Sequence, residues 1–294
     1  MMQDVGLVLE GGGMRGAYTA GVLDAFHDSG ITFPFVTGAS AGACNATSYV
    51  AGQRGRNYKV LVEYGSHPEY ISLKRAVMKK ELFGMDFIFD VLPNQLVPFD
   101  FASFFNSNIR FVVSTTDIDT GEPVYHDTFR SNQELLTIIR ASSSLPFVAP
   151  SISVDGRNLM DGGIVDPIPL QPSIDAGNRK HVVVLTRNKD YMKKPMRLAW
   201  LLKRSLKSHP ALVSAMQNRH RRYNDMVKRL ERMERNNQVF IIRPKQPLEV
   251  GRIERNRSKL DALYQQGYQE AKQQKEAVVH FTSPVEEPVL SGEV

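Results

Sequence analysis

At 294 residues, 42% hydrophobic and 23% charged, the chain has ordinary globular composition and enough length to bury a substantial core. Its one cysteine, Cys44, excludes an intramolecular disulfide and a thiolate zinc site. The net charge of +6 is uneven: Arg187–Arg235 holds 15 Lys/Arg against four acids, a local +11, so the rest carries −5, a bias suited to anionic lipid headgroups or nucleic acid.

The N-terminal stretch MMQDVGLVLEGGG lacks a basic n-region, and no apolar run reaches the length of a membrane span, so a cytoplasmic protein is expected. Val5–Glu10 is a short apolar run ending in Gly11-Gly12-Gly13, and Ala17–Ser29 carries Tyr18, Val22, Leu23 and Phe26 at helical spacing. Phe35–Thr37 reads as a brief strand, Gly38–Gly42 as a turn, and a small-residue helix follows through Ala43, Ala46, Tyr49 and Val50. Gly65–Phe105 mixes aromatic residues with Pro93, Pro98 and charges, and reads as an insertion bordering a pocket. Arg110–Ser114 and Pro123–His126 are strand-like, and Asn132–Ala141 is helical. Ser151–Val154 and Arg157–Met160 flank Asp155-Gly156, the signature of a two-residue hairpin.

His181–Thr186 reads as a buried strand. Beyond Lys193 the chain turns mainly helical, with helices expected over Met196–Ser208 and Ala211–Arg235 and one more strand over Gln238–Arg243. A last amphipathic helix, Ser258–Lys275, is expected to be capped by Ser258 with Asp261 three residues on. Strands alternating with helices predict an α/β fold with a mostly parallel sheet covered on both faces. The tail 282–294 is rich in proline and acids and reads as loose.

Three motifs carry chemistry. Gly38-Ala39-Ser40-Ala41-Gly42 is a G-x-S-x-G sequence between a strand and a helix, where a sharp turn pushes a serine outward and glycine at 38 and 42 permits close packing. Gly11-Gly12-Gly13-Met14-Arg15-Gly16 follows the first strand and also satisfies G-x-G-x-x-G. A dinucleotide site would need an acid about 20 residues on, at the end of the next strand. That strand instead ends Val36-Thr37-Gly38, and no Lys-Ser/Thr pair completes a P-loop. The other reading is a nest of backbone N–H groups for a tetrahedral oxyanion. Asp161-Gly162-Gly163 closes the hairpin strand; alone, such a turn is more often structural than catalytic.

Taken together and in this order, these motifs resemble patatin-like phospholipases, as do Thr116–Glu122 and Ala141–Pro146. The resemblance covers roughly residues 4–186 and suggests a bacterial member. It implies a three-layer α/β/α fold and a Ser–Asp dyad, without a histidine, that cleaves acyl esters of lipids. Carried over residue by residue, Ser40 is the nucleophile and Asp161 the general base, flanked by Gly162 and Gly163. Gly11, Gly12, Gly13, Met14, Arg15, Gly16 and Ala41 form the oxyanion hole, and Gly38 and Gly42 the nucleophile elbow. For Arg15 two readings stand side by side: a contact to lipid phosphate, or a solvated residue at a helix start. The implied division is a catalytic domain at 1–186, a mainly helical section with one added strand at 187–281, and the tail.

His126, His181, His209, His220 and His280 sit in strands, in the basic helical section or near the end, and none is expected to complete a triad. No metal and no cofactor is expected. The basic 187–235 segment reads first as a solvated helix face over a stripe of Met226, Val227, Leu230 and Met233, and alternatively as a peripheral contact with an anionic membrane surface. Nucleic acid is not an expected partner, because no reader motif accompanies the charge. A non-catalytic lipid- or acyl-binding protein of the same fold is the competing function.

Overall fold

A computed structural model describes residues 4–79, 81–196 and 204–283. Eight strands form one sheet: β1 Val5–Leu9, β2 Phe35–Ala39, β3 Arg110–Asp117, β4 Pro123–His126, β5 Ile152–Val154, β6 Arg157–Asp161, β7 Lys180–Val184 and β8 Val239–Ile242. Hydrogen-bonded neighbours link in the path β5-β6-β3-β2-β1-β7-β8, with β4 paired to the other edge of β3. From β3 to β8 the neighbours run parallel, while β4, β5 and β6 add antiparallel pairings at the other end. The expected mostly parallel α/β sheet is therefore present.

Period-two alternation sends side chains of the central strands into two separate cores. Leu7, Leu9, Val182, Val184 and Ile242 join the larger core, whereas Val8, Val183, Leu185, Val239 and Ile241 join the smaller one. The larger core takes α1 Gly16–Asp28, α2 Ala41–Val50 and α3 Asn132–Ser142. Short α4 Gln171–Asp175 and the long α5 Pro210–Arg235 contribute to the smaller core. The larger side is completed by α6 Arg257–Gln273 and α7 Lys275–Thr282. Helices thus cover both faces of the sheet.

The expected elements coincide with the observed ones within a few residues, and the hairpin turn has the geometry its sequence demands: Asp155 and Gly156 both take positive φ, 47° and 76°. One expectation changes. The cap of α6 is Asn256, not Ser258: its extended backbone lets its side chain accept from Lys259 N, which places Ser258 inside the helix. Most of the helix expected over Met196–Ser208, and the tail beyond residue 283, lie outside the described residues. The insertion is made of short helices and a π-helical stretch, Phe87–Leu96, that contains Pro93, and another π-helical stretch, Lys59–Glu63, precedes it.

The C-terminal section is fastened to the front of the chain. α6 crosses α1 at backbone contact: a Cβ on Gly21 would lie 2.0 Å from Tyr264 O, and one on Gly267 2.1 Å from Tyr18 O. Reciprocal bonds flank the crossing, from Tyr18 Oη to Glu270 and from Tyr264 Oη to Asp24, each 2.7 Å.

Candidate active site

Sheet register brings Ser40 and Asp161 together. Val113 and Ser114 of β3 pair with β2 and with β4, and Thr115 and Thr116 pair with β4 and with β6. A residue pairs with one strand on each side, so β2 and β6 lie end to end along the same edge of β3. Ala39 stands opposite Ser114, and Asp161 stands opposite the next residue, Thr115. Ser40, which follows Ala39, therefore meets Asp161 where the two strands converge.

Ser40 has φ 53° and ψ −125°, a strained backbone for a residue with a side chain, and it heads α2. The elbow needs glycine where α2 crosses β1: a Cβ on Gly42 would fall 2.4 Å from Leu9 O. A buried serine holds the turn in place. Ser142 Oγ accepts from Ser40 N at 2.8 Å and donates to Ser114 O at 2.7 Å. Its neighbour Ser144 accepts from Asp161 N at 2.8 Å through its main-chain oxygen. The end of α3 thus grips both residues.

The Asp161 side chain is 2% exposed, and its Oδ1 accepts from Gly163 N at 2.7 Å. Burial pushes its carboxyl above the ordinary carboxylate range, against the opposing pull of Arg219, the Ser40 hydroxyl, Arg252 and the Gly163 N–H. A carboxylate held in that balance is a stronger base than one in water.

In the glycine-rich loop, Gly13 has φ 59° and passes so close to a C-terminal loop that a Cβ would meet Arg252 O at 2.7 Å. Not every N–H expected to donate is free. Gly11 N donates to Pro167 O, Met14 N to Arg252 O, both at 3.1 Å, and Gly16 N to Gly13 O and Met14 O. Those three amides are engaged elsewhere, while Gly12, Gly13 and Ala41 border the cavity. The solvated reading of Arg15 is also corrected. It is 3% exposed, with its Nε donating to Thr186 Oγ1 at 3.4 Å beside Glu10.

Ser40, Asp161, Gly11–Met14 and Ala41 border one cavity of about 1250 Å³, counting the solvent at its mouth. Its far wall is apolar, with Tyr70, Phe83, Met85, Phe89 and Phe99 from the insertion and Ile139 from α3. Among the described residues, no histidine borders it. His126 Nε2 bonds Thr115 Oγ1 and His181 Nδ1 bonds Ser173 Oγ, each at 2.9 Å.

Three cavity residues escaped sequence reasoning. Arg56 spans Ser48 Oγ and Val97 O and lies over the Phe99 ring at 5.0 Å. Arg219 and Arg252 border the cavity on the Asp161 side. For Arg219 a signal existed: it stands three residues after Met216 and four before Tyr223, on the buried stripe of α5. Arg252 and Arg56 carry no comparable mark.

The sequence matches the family model described as Patatin-like phospholipase over residues 7–174, and a second, Domain of unknown function (DUF6363), over residues 209–283. It is 32% identical over 252 residues to Uncharacterized protein YjjU of Escherichia coli (strain K12), covering 83% of this chain and 69% of that protein. It is 30% identical over 173 residues to Lysophospholipase nte1 of Aspergillus terreus, covering 56% of this chain but only 10% of that much longer one. The chain also overlaps VipD from Legionella pneumophila, with a TM-score of 0.47 and 14% identity over 92% of this chain and 66% of that chain.

Proposed function

Because this chain belongs to the patatin-like phospholipase family, we propose that it is a serine hydrolase cleaving carboxylic acyl esters of lipids through Ser40 and Asp161. The observation that carries this reading is the end-to-end meeting of β2 and β6 on β3, which sets a strained serine beside a buried carboxylate in an apolar cavity.

In this reading Ser40 Oγ attacks the ester carbonyl carbon and its proton passes to Asp161. The carbonyl oxygen becomes an oxyanion held by the N–H groups of Gly12, Gly13 and Ala41, aided by the positive end of α2. Collapse breaks the bond to the alcohol, which leaves with the proton from Asp161. Water, deprotonated by the same carboxylate, then attacks the acyl-Ser40 ester and releases the fatty acid. The apolar wall of the insertion accommodates the acyl chain.

Residues 1–186 act as the catalytic unit, with 187–281 closing over it. Among the described residues no helix is long and apolar enough to cross a membrane. The apolar stripe of α5 is consumed by the core, and Arg221, Arg222, Lys228, Arg232 and Arg235 face outward. A cytoplasmic protein touching anionic membrane surfaces through these charges fits that arrangement. The decisive test is labelling by a fluorophosphonate probe together with turnover of p-nitrophenyl esters. Ser40→Ala is expected to lose both, and Asp161→Asn to lose turnover; wild-type turnover in either variant would sink the dyad. A lipid carrier of the same fold would bind ligand without being labelled.

A further inference from the structure

The hydrolase reading leaves a group of basic side chains beside the dyad without a task. Arg219 of α5 and Arg252 of the loop after β8 border the cavity, both close enough to Asp161 to pull its carboxyl down. Behind them stand Arg15, Arg187 and Lys193. Arg15 feels Arg187 and Arg252, while Lys193 feels Arg219, Arg252 and Arg15. Arg187 lies over the Tyr191 ring at 4.3 Å and Lys193 over the Tyr223 ring at 4.7 Å. The carboxylates facing this group are Glu10 and Asp161.

Two facts say that the group is unfinished. Among the described residues, Arg15 Nη1, Arg187 Nε and Arg219 Nε are buried without a hydrogen-bond partner, although buried guanidinium N–H groups are normally satisfied. The charges also do not balance, since four arginines face two carboxylates and leave an excess of two even before Lys193 is counted. Lys193 responds to that excess: burial, Arg219 and Arg252 push its ammonium down to about 6.

We propose that the C-terminal section supplies an anion subsite, with Arg219 and Arg252 as its contacting residues, which selects acyl esters carrying a phosphomonoester. The proposal rests on the hydrolase reading for the identity of the ligand as substrate. Guanidinium forks match phosphate oxygens, and a dianion answers an excess of two charges where a zwitterionic phosphodiester headgroup does not. The acyl chain would lie along the apolar wall with the phosphate toward Arg219 and Arg252, placing the ester at Ser40 between them.

The test uses the full chain. Binding of decyl phosphate, decylphosphocholine and inorganic phosphate, each below micellar concentration, is measured calorimetrically on Ser40→Ala. Decyl phosphate is expected to bind at least about tenfold tighter than either of the others, and Arg219→Gln or Arg252→Gln to remove about 10–100-fold of that affinity. Arg252→Gln keeps the main-chain contact to Met14 and serves if Arg219→Gln fails to fold. In the catalytically intact protein the same substitutions should lower the ratio of kcat/KM for an acylglycerol phosphate to that for the matching monoacylglycerol. Equal affinity for the two decyl compounds, or a preference that survives both substitutions, overturns the subsite. Inorganic phosphate binding as tightly as decyl phosphate would make the site one for free phosphate and overturn its role in substrate choice. Failure of fluorophosphonate labelling with arginine-dependent decyl phosphate binding intact would instead sink the hydrolase and leave the anion site.

Discussion

Ser142→Ala removes one oxygen and tests how the elbow is held. Ser142 is fully buried, and its hydroxyl joins Ser40 N to Ser114 O. Alanine leaves a buried donor and a buried acceptor unanswered, each costing roughly 1–3 kcal/mol, so a stability loss of about 2–6 kcal/mol is expected. The positive φ of Ser40 costs about 1–3 kcal/mol, comparable with the bond that restrains it. Losing that bond should let the turn relax away from Asp161. Ester turnover is expected to fall about 10–100-fold, equivalent to roughly 1.4–2.7 kcal/mol of barrier. Urea unfolding followed by circular dichroism gives the first quantity and p-nitrophenyl ester kinetics the second. Ser144→Ala is the control: its side chain bonds only Arg140 O of its own helix, and its contact to Asp161 runs through the main chain, so a loss below about 1 kcal/mol is expected. If Ser142→Ala matched wild type in both assays, the hydroxyl bridge would have no part in holding the nucleophile.

Gly42→Ala drives a methyl group into the β1 main chain at Leu9 O, which cannot swing aside; expression of soluble protein and its thermal midpoint should fall sharply. Asp161→Asn should abolish turnover yet raise the urea midpoint at pH 7. The sign follows from the raised pKa of the buried carboxyl: its protonated form is the favoured one, and that contribution is lost as pH climbs through the folded-state value. A lower midpoint for Asp161→Asn would refute the sign. Arg219 is the largest downward pull on Asp161, so Arg219→Gln should move the ascending limb of the kcat/KM–pH profile for p-nitrophenyl butyrate to higher pH; an unmoved limb would mean the two groups are not coupled. Burial pushes His181 down to about 4 from 6.5, so the unfolded chain takes up a proton first as pH falls between those values. Stability should drop by up to roughly 3 kcal/mol across that window, and His181→Gln should flatten the decline in urea midpoints.

Much of this was legible in the chain because local signals and tertiary demands agree. Near-continuous apolar runs in β1 and β7 announce strands buried on both faces, and Asp155-Gly156 announces a hairpin whose turn requires positive φ twice. The glycines around Ser40 carry a steric message, since the clash they avoid is with the neighbouring main chain. What escaped depends on contacts between distant residues. Nothing local says that β2 and β6 share one edge of β3, or that Met14 N–H is taken by residue 252. The solvated alternative for Arg15 rested on helix starts usually being exposed, but the return of the chain through Thr186 covers it. Arg219 was hidden by its company: in a helix dense with surface arginines, one that belongs to the buried stripe is visible only by its spacing from Met216 and Tyr223. The π-helical insertion has no simple period, and only its aromatic content hinted at a pocket wall.

The glycine-rich loop borrows a carbonyl from residue 252, and the helix behind it is clasped by Tyr264 and Gly267. A growing chain on the ribosome carries Ser40 and Asp161 long before it carries the brace that shapes the loop. The shape of the cavity therefore arrives late in translation, and a polypeptide cut short before residue 252 would hold Ser40 and Asp161 without the wall that faces them.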